Sequence, residues 1–167
     1  MHSNLSELYA RDGYCVVPGL LTEAECERLK AEAVAVLRDH APARATVYVG
    51  ASVVSPLFRQ YADDSRIVAV LRELMPGGIA FMSDKIVFKS GTQTFATPWH
   101  IDAFYWRGTR PKLSVWIALD DVRAANGALV VVRGSHRQDW AAATSDMRAT
   151  NGEFVNVIPQ RTWPAAD

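Results

Sequence analysis

The hydrophobic period of this chain changes once, at Pro76-Gly77-Gly78, and that change limits the fold more than any other feature. Before it, apolar residues recur at helical spacing; after it they alternate as on a strand. A helical front and a strand-rich back in one polypeptide of 167 residues call for an α+β arrangement. In the front half, Leu5, Leu8 and Tyr9 share one face of a short helix that Asp12-Gly13 ends and Ser3 or Ser6 caps. A brief strand follows, Tyr14 to Pro18. Thr22-Glu23-Ala24-Glu25 is a capping box, in which the Thr hydroxyl and the Glu carboxylate satisfy free backbone N–H groups. Cys26, Leu29, Ala33 and Leu37 then form one stripe, predicting a helix from Glu23 to Asp39. A looser segment, Ala41 to Ser55, precedes a further helix with Ile67, Val70, Leu71 and Leu74 on one face, closed by Pro76-Gly77.

Beyond Gly78, the segments Ile79 to Lys89, Thr97 to Ala103, Leu113 to Leu119, Ala128 to Val132 and Glu153 to Ile158 read as strands rich in β-branched and aromatic residues. Lys89-Ser90-Gly91, Gly108-Thr109-Arg110-Pro111, Ala125-Asn126-Gly127 and Arg133-Gly134-Ser135 punctuate them, and Asn126-Gly127 favours a tight antiparallel connection. Short strands with such turns predict a jelly-roll or barrel-like β core carrying the helices on its outer face. The expectation is a single domain spanning residues 1–167, with helices over residues 1–78, a β core over residues 79–158 and an irregular tail over residues 159–167.

Charge and composition exclude several classes. Eighteen Lys and Arg balance 18 Asp and Glu with no basic run, so neither nucleic acid nor an anionic membrane surface is an expected partner. Apolar stretches such as Ala128 to Val132 fall far short of the roughly 20 residues of a membrane helix. The first residues lack a basic region followed by an apolar one, which makes a cytoplasmic location the expectation. Cys15 and Cys26 stand in apolar patterns outside any CxxC spacing and are expected to be reduced core residues.

Four histidines are available, His2, His40, His100 and His136. His2 is at the terminus and His40 closes a helix, where a cation suits the dipole. His100 differs by its neighbours, Thr97-Pro98-Trp99-His100-Ile101-Asp102. On a strand His100 and Asp102 project to one side and Ile101 to the other. An imidazole nitrogen and a carboxylate oxygen so placed can take adjacent corners of an octahedral metal. That suits Fe(II) when a second His takes a third corner and the rest stay open for substrate and O₂. A hydrogen-bonded His–Asp pair at a strand edge satisfies the same pattern. Trp99, Phe104, Tyr105 and Trp106 either wall an apolar substrate pocket or fill the core. Lys85 and Lys89 share one strand face, which is either a solvated side or, if turned inward, the counter-charge of an anionic partner such as a carboxylate cosubstrate.

Five segments carry a resemblance through nearly the whole chain. They are Asp12-Gly13-Tyr14-Cys15-Val16-Val17-Pro18-Gly19-Leu20-Leu21, Asp84-Lys85-Ile86-Val87-Phe88-Lys89, Thr97 to Asp102, Leu113-Ser114-Val115-Trp116-Ile117-Ala118-Leu119-Asp120-Asp121 and Asn126 to His136. In their order and spacing they resemble the phytanoyl-CoA dioxygenase family of Fe(II)- and 2-oxoglutarate-dependent oxygenases, whose relatives include ectoine hydroxylase. The resemblance implies a double-stranded β-helix of jelly-roll or cupin-like form. It implies Fe(II) on His100 and Asp102, with Lys85 and Trp116 near 2-oxoglutarate. The implied reaction converts 2-oxoglutarate and O₂ to succinate and CO₂ while hydroxylating an unactivated C–H bond of a small organic substrate. Halogenating relatives carry Ala or Gly where this chain has Asp102, so its carboxylate implies hydroxylation or another oxidation.

The family's second iron His and the Arg that pairs with 2-oxoglutarate lie on later strands. No His follows His136 here, and Arg148 and Arg161 stand in no family-like context. Three readings stay open: a fragment whose β-helix is incomplete at its C-terminus, His136 as third ligand, or a homo-oligomer or other strand-donating partner. A different class, a non-catalytic binding module on the oxygenase fold, is distinguished by whether the chain consumes 2-oxoglutarate with Fe(II).

Overall fold

The computed structural model describes residues 4–43, 45–91, 97–105, 111–140 and 158. They fall into two compact units, one of Met1–Phe95 with Ala118–Ala128, the other of Ala96–Ile117 with Leu129–Asp167.

In the first unit, α1 (Leu5–Asp12) is capped by the Asn4 side chain, which accepts from the Glu7 N–H at 3.2 Å, rather than by the expected serines. Asn4 is the extended residue immediately before the first turn, the position from which a short polar side chain reaches a free N–H, whereas Ser6 is already inside the helix. Gly13 ends the helix at φ 86°, a left-handed conformation that glycine adopts without Cβ strain. Helix α2 (Glu23–His40) begins as the sequence predicts: the Glu25 N–H donates to Thr22 Oγ1 at 3.3 Å and the Thr22 N–H to Glu25 Oε2 at 2.7 Å. Thr22→Ala is expected to cost about 1 kcal/mol of unfolding free energy, measurable by urea titration.

Strand β1 (Val47–Val49) and the short helix α3 (Ala51–Val54) occupy the segment Ala41 to Ser55 that the hydrophobic spacing leaves loose, and α4 (Pro56–Ala62) follows it. Ser55 caps α4 by accepting from the Phe58 N–H at 3.3 Å, and Pro56 opens it at a position whose N–H has no helical partner. Helix α5 (Ser65–Leu74) follows under an Asp64 cap. Ile67 is buried on it, with Val70, Leu71 and Leu74 half-buried beside it, as their spacing predicts.

Two apolar clusters hold the unit together. Leu29, Tyr61 and Ile67 form one, with Leu20, Leu21, Leu57 and Leu119 packed around it. Ala33, Val36, Ala51 and Ile86 form the other. Arg66 ties three segments at once: its guanidinium donates to the Leu20 carbonyl at 3.1 Å, to Glu25 at 2.7 Å and to Asp64 at 2.8 Å. Those bonds, with Thr22, hold the Glu25 carboxyl well below the usual carboxylate range. A Lys30–Asp120 ion pair fastens the 118–128 segment to α2.

Of the expected strand Ile79 to Lys89, β2 (Lys85–Val87) pairs antiparallel to β1, with Val47 opposite Val87, Tyr48 opposite Ile86 and Val49 opposite Lys85. Backbone bonds from the Phe88 N–H to the Thr46 carbonyl and from the Gly50 N–H to the Asp84 carbonyl close its two ends. The register turns Ile86 and Tyr48 onto the helices and leaves Lys85, Val87, Val47 and Val49 on the other face. Cys15 and Cys26 are free thiols, half-buried rather than in the core. Burial, with the nearby Glu73 carboxylate, pushes the Cys15 thiol pKa up.

The remaining strand expectations differ from the structure. Tyr14 to Pro18, Thr97 to Ala103, Leu113 to Leu119 and Ala128 to Val132 form no ladder among the described residues. Alternation specifies which side chains share a face, whereas a ladder also needs a second backbone in register. Among the described residues of the second unit, the Ile158 N–H donates to the Trp99 carbonyl at 2.8 Å in the manner of a ladder bond, and Ile158 is buried. A turn is present at Asn126-Gly127, a 3₁₀ turn Ala124–Asn126 followed by Gly127 at φ 98°, but the segments it joins form no antiparallel ladder among the described residues. Asn126 accepts from the Arg123 N–H at 2.6 Å and donates to the Asp121 carbonyl at 2.7 Å. Apart from Ile158, the expected strand 153–158 and the tail 159–167 lie outside the described residues.

Candidate metal centre

His100 and Asp102 come together, by a route other than the strand that their spacing suggests. Ile101 is extended at φ −123°, and the chain then enters a 3₁₀ turn, Asp102–Phe104, closed by the Tyr105 N–H on the Asp102 carbonyl at 2.9 Å. The extended step projects both side chains to one side before the backbone turns away.

His100 Nδ1 lies 2.8 Å from the Pro98 carbonyl oxygen. A carbonyl only accepts, so Nδ1 is the donor and, in the neutral ring, the lone pair is on Nε2. That atom faces Asp102 Oδ1 at 3.4 Å. The separation is long for a hydrogen bond; neighbouring octahedral ligands of one cation with bonds of about 2.1 Å stand about 3.0 Å apart, so the two side chains would close by a few tenths of an ångström on an ion. The second carboxylate oxygen, Oδ2, accepts from Ser114 Oγ at 2.6 Å. The Tyr105 ring stands edge-on to the imidazole, with centroids 6.1 Å apart. A nitrogen lone pair and a carboxylate oxygen side by side form a donor set suited to a borderline divalent cation such as Fe(II).

The other expected residues are divided between the two units. Trp99 is half-buried and next in sequence to His100; the Phe104 side chain and all of Trp106 lie outside the described residues. Trp116 belongs to the same unit as the pair and is exposed. Lys85 is on β2 in the first unit, exposed on the sheet face that the helices leave uncovered. His136 is an exposed residue of a 3₁₀ turn, Ser135–Arg137. Among the described residues, no three His, Cys, Asp or Glu side chains converge as a metal cluster. Arg148 and Arg161 lie outside them. Sequence reasoning missed Ser114, although it sits inside one of the segments that carry the family resemblance.

Comparison with known proteins decides the family. The model for Phytanoyl-CoA dioxygenase (PhyH) matches residues 9–163. The chain belongs to this family. An L-proline trans-4-hydroxylase of Streptomyces griseoviridis is 26% identical over 141 residues, covering 76% of this chain and 52% of that protein. An ectoine dioxygenase of Bordetella parapertussis is 28% identical over 147 residues, covering 78% and 48%. A probable alpha-ketoglutarate-dependent hypophosphite dioxygenase of Stutzerimonas stutzeri is 30% identical over 102 residues, covering 60% and 34%. The chain thus spans about half the length of the first two relatives. No solved structure matches it. As a phytanoyl-CoA dioxygenase family member the chain takes the family's cupin-like jelly-roll as its fold class. No helix among its described residues is long and apolar enough to cross a membrane.

Proposed function

We propose that this chain carries the iron-binding pair of an Fe(II)- and 2-oxoglutarate-dependent dioxygenase that hydroxylates an unactivated C–H bond of a small organic molecule in the cytoplasm. The observation that carries the reading is the approach of His100 Nε2 and Asp102 Oδ1 to 3.4 Å while Nδ1 is committed to Pro98. The relatives' names, which include dioxygenases and a hydroxylase, point the same way.

Bound at this pair together with 2-oxoglutarate, Fe(II) would supply the activation of O₂ that amino-acid side chains lack. The chain's own contribution is binding and orientation. His100 offers a neutral nitrogen in a fixed tautomer, and Asp102 offers one negative charge against a dication. From the family resemblance, Lys85 and Trp116 are each proposed to contribute to 2-oxoglutarate binding. Trp99, Phe104, Tyr105 and Trp106 are proposed to exclude water from an apolar part of the substrate. The third corner of the iron falls to His136, to a strand-donating partner subunit, or to further residues of a longer polypeptide whose β-helix this chain begins.

A second reading, a binding module without turnover, is favoured by the lack of a third converging ligand among the described residues. The test is anaerobic addition of Fe(II) and 2-oxoglutarate to the purified chain, following the visible charge-transfer band of 2-oxoglutarate chelated to protein-bound iron. A band is expected, and its loss in His136→Ala would assign the third ligand to His136. A folded chain that gives no band would overturn the dioxygenase reading for these residues.

A further inference from the structure

We infer that Ser114 is a positioning residue for the metal centre, selecting which oxygen of Asp102 meets the ion. The inference rests on the metal reading of His100 and Asp102 and deepens it. Asp102 is partly exposed, its side chain retaining 38% of its accessibility, and it stands at the start of a one-turn 3₁₀ segment. Rotation about its side-chain bonds would let a carboxylate there present either oxygen, or both, to an ion beside His100. Ser114, 12 residues further on, fixes that rotation by donating its hydroxyl proton to Oδ2 at 2.6 Å. A hydrogen bond from a hydroxyl to a charged carboxylate at this length is among the stronger kinds.

Two consequences follow from the same bond. Oδ1 becomes the oxygen facing Nε2, so Asp102 would offer an ion one atom rather than two. The bond also fastens the short turn that carries Asp102 to the separate segment 111–117. The chelate is then held from both ends, His100 by the Pro98 carbonyl and Asp102 by the Ser114 hydroxyl. Partners of this kind fix ligand orientation, and their loss weakens metal binding by about 10- to 100-fold.

The test uses Mn(II), an oxygen-stable divalent probe with the same preference for N and O ligands, titrated into the full chain and followed by the paramagnetic resonance signal of the free ion. Ser114→Ala is expected to weaken Mn(II) binding by about 10- to 100-fold, and Ser114→Thr, which keeps a hydroxyl at the same position, to restore it. Without metal, all three should stay folded, with Ser114→Ala losing no more stability than one partly exposed hydrogen bond contributes, so that the loss of affinity reports on the ion and not on unfolding. Affinity unchanged in Ser114→Ala, or lost equally in Ser114→Thr, overturns the role of the hydroxyl while leaving the metal reading intact. Wild-type affinity no better than that of His100→Ala overturns the metal reading, and the inference with it.

Discussion

His100→Ala is expected to abolish the charge-transfer band given by Fe(II) and 2-oxoglutarate and to lower iron-dependent consumption of 2-oxoglutarate by more than about 100-fold. The size follows from the geometry. His100 contributes the nitrogen of the pair, in a tautomer set by Pro98, and without it the pair offers a divalent ion only the Asp102 carboxylate. A single exposed carboxylate is no match for water and buffer as a ligand. The Ser114–Asp102 bond does not involve the imidazole and should survive, so the metal-free variant should melt close to the wild type. A His100→Ala protein that still forms the band would end the assignment of this pair to iron.

Leu29→Ala carries the largest expected effect on stability, about 3 kcal/mol in urea unfolding. Leu29 is 2% exposed and packs against Tyr61 of α4 and Ile67 of α5, so one side chain joins three helices. Truncation removes its transfer free energy and leaves a void that helices tied by Arg66 cannot easily close. Ile67→Val, in the same cluster, removes one methylene and should cost only about 1 kcal/mol. Equal losses in the two variants would mean that the cluster collapses around the smaller side chain.

The helices were legible because their signals are local. The capping box at Thr22 and the stripe Cys26, Leu29, Ala33 and Leu37 mark α2 to within one residue of its observed end at His40. Ile67, Val70, Leu71 and Leu74 mark α5 in the same way. Helices α3 and α4 escaped because each is under eight residues, too short for apolar spacing to recur. Their available signal was the Ser55-Pro56 start, a cap followed by a residue preset for a first helical turn. Strand β1 was readable as Val47-Tyr48-Val49 before Gly50, a β-branched and aromatic run closed by a glycine at φ 86°.

Legibility was poorer in the second half for a different reason. Leu113 to Leu119 and Ala128 to Val132 are rich in β-branched and apolar residues, yet no residue in either segment names its pairing partner. His100 and Asp102 were found because two side chains two residues apart need only one extended step to meet. Ser114 was invisible to the same reasoning. Its role depends on a contact across 12 residues that leaves no periodic trace, and a serine inside an apolar run reads as a solvent-facing position.

The pairing of β1 with β2 sets a rule for how this region of the protein can change length. Lys85 and Ile86 are neighbours on opposite faces, one exposed and one packed on Ala33, Val36 and Ala51. A single-residue insertion or deletion between Gly78 and Lys85 that let β2 slide along β1 would exchange them, placing an ammonium group among alanine and valine side chains. Removing or adding two residues would keep Ile86 inward. Natural variants of this segment should therefore differ in length by even steps, or absorb an odd residue in a bulge before the strand begins.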